Sequence, residues 1–533
     1  MAYIAAVEVD QRQRIVTSAD KLKEMLGGSW TIEKTGKLAS DILKRHIGVR
    51  EIKIASGDVW LRADDLKDLT ACLLAFRSKI VEDLDLPCSF AIVEEVDTPE
   101  ASRTALSNEV QRVKHGKSGE IGHVSLPWFA ACEIQPDRYA NLWFPQWAND
   151  EQHGRRALVS KNSNARLNSG SETLSHYYDR FPVVKDNNLK KPRQMDDFAP
   201  ANGSSYMALL RFDADNAGTI FNHLRLGTKC EDASWEPLRT CSKEFENCLR
   251  MALQQAFDGT IKEALRNGSL VKGEHFIPIS PLIAAGDDFL IAIRKDLAVL
   301  FAVLLLDAYK QIAVSNETLN QLRVDPSPQK DLTLSGAVIF ARSGFPFSVL
   351  SEMSNSVEKS AKRLRKQTGQ TEPCLDVYWL ESTGREEPIH SREESLTYQV
   401  GIEPNGAIYS LNTRPWTLSQ AEAMRKGAEL FAKHDIPRGK WHQLLAGLKD
   451  GEPLASAHYQ RWLQHLTKGQ RDCMEKVVIE LLQPVGLWNN ATKPWVETTA
   501  AGKLRNVTPL LELHQLREML AHDIAAGGER QSQ

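Results

Sequence analysis

Hydrophobic and polar positions along this chain follow two periods, alternation for strands and a three-to-four spacing for helices, and the order of the two repeats. A strand over Tyr3–Val9 leads into helical sequence from about Ser18 to Arg45. Two short strands around Glu51–Ala55 and Val59–Arg62 follow, then an amphipathic helix Asp64–Glu82 and a strand Cys88–Glu95. The second run opens on Met207–Phe212, an almost unbroken apolar stretch that suits the centre of a sheet. After it come a helix from about Lys243 to Asn267, a hairpin of Pro281–Ala285 and Phe289–Ile293, an apolar helix Leu297–Ile312, a strand Leu332–Ala341, a helix Phe347–Gln367 and a strand Leu375–Leu380. Both runs begin βαββαβ, the order of ferredoxin-like and palm-type domains in which two helices cover one face of an antiparallel sheet.

The expected fold class is therefore α+β, with two ferredoxin-like palm domains. Between them, residues 150–205 are rich in Asn, Ser, Gly, Arg and Lys without a sustained period, which predicts a loop-rich, partly mobile segment. Pro326 and Pro328 mark a further surface loop. Beyond Pro415 the apolar positions Leu430, Leu444, Leu445, Trp462, Leu463, Val477, Leu481 and Leu482 recur at helical spacing, predicting a C-terminal all-α domain with a polar tail, Gly527–Gln533. The expected boundaries are 1–100 for a first palm, 101–205 for a linker or insert, 206–395 for the second palm and 396–533 for the helical domain.

Composition narrows the functional classes. A length of 533 residues gives a prior of three or four domains. Lys+Arg 66 against Asp+Glu 69 gives a net charge of −3, so any nucleic-acid contact is a local patch rather than a polycationic coat. The hydrophobic share of 42% and charged share of 25% support sizeable cores. Eight cysteines without a CxxC pair fit reduced thiols. The N-terminus meets Glu8 and Asp10 before a signal-like apolar region forms, and the longest apolar run, Leu297–Leu306, is half of the ~20 residues a bilayer needs. The expectation is a cytoplasmic protein with no membrane span.

Candidate chemistry sits in the second palm. The strand Met207–Phe212 exits into Asp213-Ala214-Asp215-Asn216-Ala217-Gly218, and the hairpin turns through Gly286-Asp287-Asp288. In a palm sheet these strands are neighbours, so Asp213 and Asp287 are expected to face each other. Hard carboxylate oxygens at that spacing suit Mg²⁺ or Mn²⁺ in nucleotidyl transfer. The turn Asn216–Gly218 offers backbone N–H groups to a triphosphate. Taken singly, Gly-Asp-Asp is usually a turn and Asp-x-Asp-Asn a helix N-cap; their place at equivalent strand ends of one βαββαβ unit carries the inference. Cys230, Cys241 and Cys248 have spacings of 11 and 7, which fit no common zinc site, so they are expected to be buried. Lys359, Lys362, Arg363, Arg365 and Lys366 complement a helix C-terminus. The stretch Lys190-Lys191-Pro192-Arg193 reads as a solvated loop more readily than as an RNA contact.

These residues resemble the large polymerase/cyclase-like subunit of type III CRISPR effector complexes, of Csm or Cmr type. Leu209 to Gly218 is similar to the family's D-x-D-N-x-G strand exit, Ala285-Gly286-Asp287-Asp288 to its G-G-D-D hairpin with Ala285 in place of the first glycine, and Leu332 to Ile339, with Ser335-Gly336, to its following strand. Phe345 to Lys362 resembles its next helix, Gln11 to Ser18 with Gly27-Gly28-Ser29-Trp30 the start of its catalytically silent first palm, and Ser56-Gly57-Asp58 that palm's degenerate hairpin. Arg414 to Leu418, Ile436-Pro437-Arg438 and Thr508 to Leu511 resemble landmarks of its helical domain.

The resemblance implies a GGDEF/polymerase-like second palm that converts ATP to cyclic oligoadenylate when target RNA is bound, in a ribonucleoprotein with crRNA and with small and backbone subunits. Asp213, Asp287 and Asp288 would be catalytic and hold Mg²⁺ or Mn²⁺. Asn216, Gly218, Gly286, Ser335, Gly336 and Lys362 would bind one nucleotide, and Gly28 and Ser29 the other. The place of the family's Cys-rich element, Pro127 to Cys132, holds a single cysteine, so no zinc is expected. The sequence opens directly on the first palm, and His434-Asp435 and His522-Asp523 lack partner sets, so no intrinsic DNase is expected. The alternatives are a catalytically silent scaffold subunit of such a complex and a stand-alone nucleotide cyclase or dinucleotide synthase.

Overall fold

The first βαββαβ run folds as β1 (Tyr3–Val9), α1 (Arg12–Thr17), α2 (Leu22–Leu43), β2 (Val49–Ala55), β3 (Asp58–Ala63), α3 (Leu66–Lys79) and β4 (Cys88–Glu94). The strands assemble in the order β2-β3-β1-β4, with β1 antiparallel to both neighbours. Alternation along β1 divides its side chains: Ala5, Val7 and Val9 enter one core with α2 and α3, and Ile4 and Ala6 enter another. The computed structural model describes residues 2–520 apart from 20, 56, 85, 117–131, 133–139, 141, 145–156, 200–204, 223, 225, 227, 228, 230, 287, 323–331, 370, 381–386, 401–406, 450, 451, 501 and 502. The Pro326 and Pro328 loop, Pro127 to Phe129, Cys230, Asp287, His522-Asp523 and the polar tail thus lie outside the described residues.

The connecting region holds more regular structure than its composition predicts. It contains α4 (Pro99–Gly116), the pair β5 (Leu142–Phe144) and β6 (Ala157–Val159), α5 (Lys161–His176) and α6 (Pro182–Asp186). Helix α5 falls inside the stretch expected to be loop-rich. Its polar sequence is made helical by a close crossing with α2, where a Cβ on Gly27 would lie 1.9 Å from the Arg166 carbonyl and one on Gly170 2.1 Å from that of Lys23. Only glycines let the two backbones approach so closely.

The second run comprises β7 (Tyr206–Asp215), α7 (Ala217–Asn222), α8 (Glu236–Arg266), β8 (Ile279–Ala285), β9 (Asp288–Arg294), α9 (Ala298–Ser315), α10 (Glu317–Leu322), β10 (Thr333–Arg342), α11 (Phe347–Thr368) and β11 (Cys374–Trp379). Its sheet order, β8-β9-β7-β10, reproduces that of the first palm and is extended by β11 and by β14 (Trp416–Thr417). The segment Lys295–Ser315 is long and apolar enough to cross a membrane, more than the run Leu297–Leu306 suggested. Here it packs against α8, β10 and α13 (Leu418–Lys433), so its apolar girth is explained by burial on several sides.

The C-terminal region corrects the all-α expectation. Alongside α12 (Pro388–Leu396), α13, α14 (Arg438–Gly447), α15 (Glu452–His465), α16 (Lys468–Lys476) and α17 (Leu510–Leu520), four short strands form a sheet of their own. These are β12 (Thr397–Val400), β13 (Ala407–Ser410), β15 (Val496–Ala500) and β16 (Lys503–Val507), in the order β12-β13-β16-β15. Each is too short to stand out from helical neighbours by periodicity, and the parallel pairing of β13 with β16 joins segments far apart in the chain. Thr417 and Thr467 start α13 and α16 with capping boxes to Gln420 and Gln470.

Two buried ion pairs bolt this region to the second palm. Arg392 on α12 meets Asp376 of β11 at 2.6 Å, and Arg414 meets Glu512 of α17 at 2.8 Å while donating to the Val377 carbonyl. Burial pushes the Arg414 pKa down to about 10 and raises that of Glu512, so desolvation outweighs pairing in both partners. Removing one charge would leave the other stranded. Glu512→Ala is expected to cost about 3–5 kcal/mol, measured by urea unfolding of the full chain.

Candidate functional site

Strand β7 builds the site by alternation. Met207, Leu209, Arg211, Asp213 and Asp215 share one face, and the apolar part of that face is packed under α11 and the first palm. The last two positions of the stripe are carboxylates because the strand leaves the core there. In the antiparallel pair with β9, Asp213 lies directly opposite Asp288, and such neighbours have Cβ atoms about 4.5–5.5 Å apart. Ala285 pairs with Asp288 across the hairpin, which leaves a two-residue turn that begins with Gly286 at φ 70°. Two like charges at that spacing repel, and the surroundings compensate. Lys362 of α11 lies 2.6 Å from Asp213 and 3.2 Å from Glu358, Arg211 lies 3.8 Å from Asp288, and Gln13 Nε2 donates to Asp288 Oδ2 at 2.9 Å.

Behind this pair, Asp215 is buried. It accepts from the hydroxyls of Thr333 at 2.8 Å and Ser335 at 2.9 Å, with Arg365 Nε 3.6 Å away. Burial raises its pKa above the ordinary carboxylate range against the pull of Arg365 and the two hydroxyls, and burial likewise raises that of Glu358. For Lys362, burial acts to lower the pKa, but Asp213 and Glu358 together outweigh it and hold the ammonium above the usual lysine value. The chain then turns through Asn216 at φ 63°, a left-handed conformation that asparagine tolerates, into α7. Gly218 is exposed, and a Cβ there would meet nothing within 4 Å. A carboxylate pair, a lysine and an open glycine turn thus share one end of the sheet.

The first palm carries a copy of this arrangement. Glu8 lies opposite Asp58 as Asp213 lies opposite Asp288. Ser89 donates to Asp10 at 2.8 Å as Ser335 donates to Asp215, and Gln11 turns at φ 51° where Asn216 turns in the second palm. Lys114 pairs with Glu8 as Lys362 pairs with Asp213, each the sixteenth residue of the helix that follows the fourth strand. The copies also differ. In the first palm Lys53 adds an ion pair with Asp58 at 2.5 Å, so each carboxylate holds its own lysine, and Gln13 occupies the position of Gly218.

A family model described as Cas10/Cmr2, second palm domain, matches residues 206–369. The second palm is therefore similar to that of the Cas10/Cmr2 family. No curated protein sequence matches the chain. Among solved structures, the chain is similar to a Csm1–Csm4 cassette in complex with cA4, with TM-score 0.53 and 14% identity over 98% of this chain and 70% of that one. It is likewise similar to such a cassette in complex with AMPPNP, at TM-score 0.52 and 15% identity, and with one ATP, at 0.52 and 14%, each over 98% of this chain and 70% of the other. At these identities the likeness is one of fold, and it extends across both palms and the C-terminal region.

In this second palm, the structure brings Asp213, Asp288, Lys362, Asn216, Gly218 and Gly286 to one end of the sheet. The residue facing Asp213 is Asp288, because the two-residue turn sets the register; Asp287, expected there, lies outside the described residues. Ser335 and Gly336 do not line open space. Both are buried in β10, Ser335 behind Asp215 and Gly336 beneath Phe212, so their part is to support the carboxylate strand. Gly28 is buried in the α2 and α5 crossing, 3.2 Å from the Ile15 carbonyl by its absent Cβ, and offers no nucleotide surface; Ser29 is half-buried on the same helix. The first-palm contact to the carboxylates comes instead from Gln13, which the pattern of the sequence assigned no role. Glu358 and Ser89 also went unrecognised, although Ser89 stands at the repeat position of Ser335.

Gly336 tests the packing that supports β7. A Cβ there would fall 2.4 Å from the buried Phe212 ring. Gly336→Ala is expected to destabilise the chain by about 1–3 kcal/mol, seen as a lower urea midpoint.

Proposed function

We propose that this chain is the large subunit of a type III CRISPR-like, RNA-guided complex, and that its second palm joins ATP into cyclic oligoadenylate when target RNA is engaged. The observation that carries the reading is the Asp213–Asp288 pair beside Lys362 and the open Asn216–Gly218 turn, in a domain that matches the Cas10/Cmr2 second palm. Fold likeness to Csm1–Csm4 cassettes solved with cA4, AMPPNP or ATP supports it. The proposed partners are crRNA, target RNA and the small and backbone subunits, in the cytoplasm.

Two carboxylates on adjacent strands are a donor set that fits Mg²⁺ or Mn²⁺, ions commonly held by one or two carboxylates plus substrate phosphates. Asp213 and Asp288 would hold the ion, with Asp287 added from the turn. When bound, such an ion neutralises phosphate charge and favours ionisation of an attacking hydroxyl. The protein's own part is positioning. The N–H groups of the Asn216–Gly218 turn receive a triphosphate, with no side chain at Gly218 in the way. Lys362 is freed from Asp213 to face the phosphates. Asp215, held by Thr333 and Ser335, keeps the strand end rigid. The 3′-hydroxyl of one ATP then attacks the α-phosphate of the other; an oxygen–phosphorus bond forms, pyrophosphate leaves, and the hydroxyl proton passes to water. Alignment and charge neutralisation supply most of the rate.

The test is to incubate the protein, with its co-purifying RNA and subunits, with ATP, Mg²⁺ or Mn²⁺ and complementary target RNA, and to resolve the products by mass spectrometry. Oligoadenylate is expected only with target, and Asp213→Ala or Asp288→Ala should lower it on the order of 100-fold or more. Product from the chain alone would favour a stand-alone synthase. An assembled complex that makes none would indicate a scaffold.

A further inference from the structure

Gln13 and Gly218 occupy the same place in the two copies of the palm, yet they do opposite things. In the second palm, glycine leaves the space beyond the turn open. In the first, the glutamine side chain extends out of its own palm and its Nε2 reaches Asp288 Oδ2 at 2.9 Å, joining residues 275 positions apart. The segment that carries it is held in place: α1 starts at the left-handed Gln11, whose side chain accepts from Arg14 at 3.0 Å, and packs on β8 and α11 of the second palm. A neutral amide donor suits this position. It binds a carboxylate without adding charge, whereas Lys53 sets an ammonium on the matching Asp58 at 2.5 Å and the cation beside Asp288 here, Arg211, lies 3.8 Å away.

We propose that Gln13 is a positioning residue of the second-palm site, its amide fixing the Asp288 carboxylate so that Asp213 and Asp288 present their oxygens together to a divalent cation. This rests on the reading that those two aspartates hold such an ion. It makes the first palm a working part of the site: the copy whose own carboxylates are closed by lysines orients a carboxylate of the other. Partners of metal-binding groups act in this way by restricting the ligand to one orientation, and their loss typically weakens metal affinity about 10–100-fold.

The experiment is a titration of the full-length chain with Mn²⁺, following loss of the free-ion signal by electron paramagnetic resonance. Gln13→Ala and Gln13→Met, the second retaining the aliphatic stem, are each expected to raise the Mn²⁺ dissociation constant about 10-fold. Arg239→Ala serves as the control for loosened palm docking, because Arg239 of α8 donates to the Glu51 carbonyl of β2 and touches no site carboxylate; it should leave the constant within about twofold of wild type. Wild-type affinity in both Gln13 variants, with binding lost in Asp288→Ala, would overturn the role of Gln13 and leave the site standing. Equal weakening in Arg239→Ala would overturn it in favour of general docking. If Asp288→Ala binds Mn²⁺ as wild type does, the site reading falls and the role of Gln13 with it.

Discussion

The antiparallel register of β7 with β9 is the constraint on which the site depends. Once Phe212 pairs with Phe289, Asp213 must stand opposite Asp288, and backbone hydrogen bonding sets the separation of the carboxylates whether or not their charges favour it. The energy to hold that arrangement comes from the apolar stretch upstream, Met207 to Phe212, which is fully buried between two cores. Repulsion at the strand ends is then met locally by Lys362, Arg211 and Gln13. The result is a carboxylate pair beside the positive charges of Lys362 and Arg211.

Duplication shows what distinguishes a closed site from an open one. The two palms share strand order, the left-handed turn after the first strand, the serine on the second aspartate of that strand and the lysine on the following helix. The differences are few. Lys53 adds a second lysine in the first palm, and Gln13 replaces the open glycine. In the first palm a lysine pairs with each carboxylate, Lys114 with Glu8 and Lys53 with Asp58. In the second palm the cation beside Asp288 is Arg211, more distant at 3.8 Å, and the direct hydrogen bond comes from the neutral Gln13 amide.

Around the palms, polar groups are buried where elements distant in the chain must meet in one orientation. Arg392 with Asp376, and Arg414 with Glu512, fix the C-terminal region against β11, and hydrogen bonds such as those from Arg414 to Val377 and from Thr413 to Glu512 offset part of their desolvation. Close backbone approach does the same for α2 and α5 through Gly27 and Gly170. These contacts specify where the pieces sit; the large apolar cores supply most of the stability.

The sequence by itself determined the local elements and much of the site. Alternation marked Tyr3–Val9 and the core of β7, the repeated βαββαβ order marked two palms, and aspartates at strand ends marked Asp213 and Asp288, because each signal is written within a few neighbouring residues. Only the tertiary structure decided which aspartate faces Asp213, that Ser335 and Gly336 support rather than line the site, that Gly28 serves a helix crossing, and that the C-terminal region contains a sheet. It alone joined Gln13 to Asp288. The physical reason is range: periodicity reports the direction a side chain takes from its own element, whereas register, parallel pairing across a hundred residues and side-chain bonds between domains depend on what arrives from elsewhere in the chain.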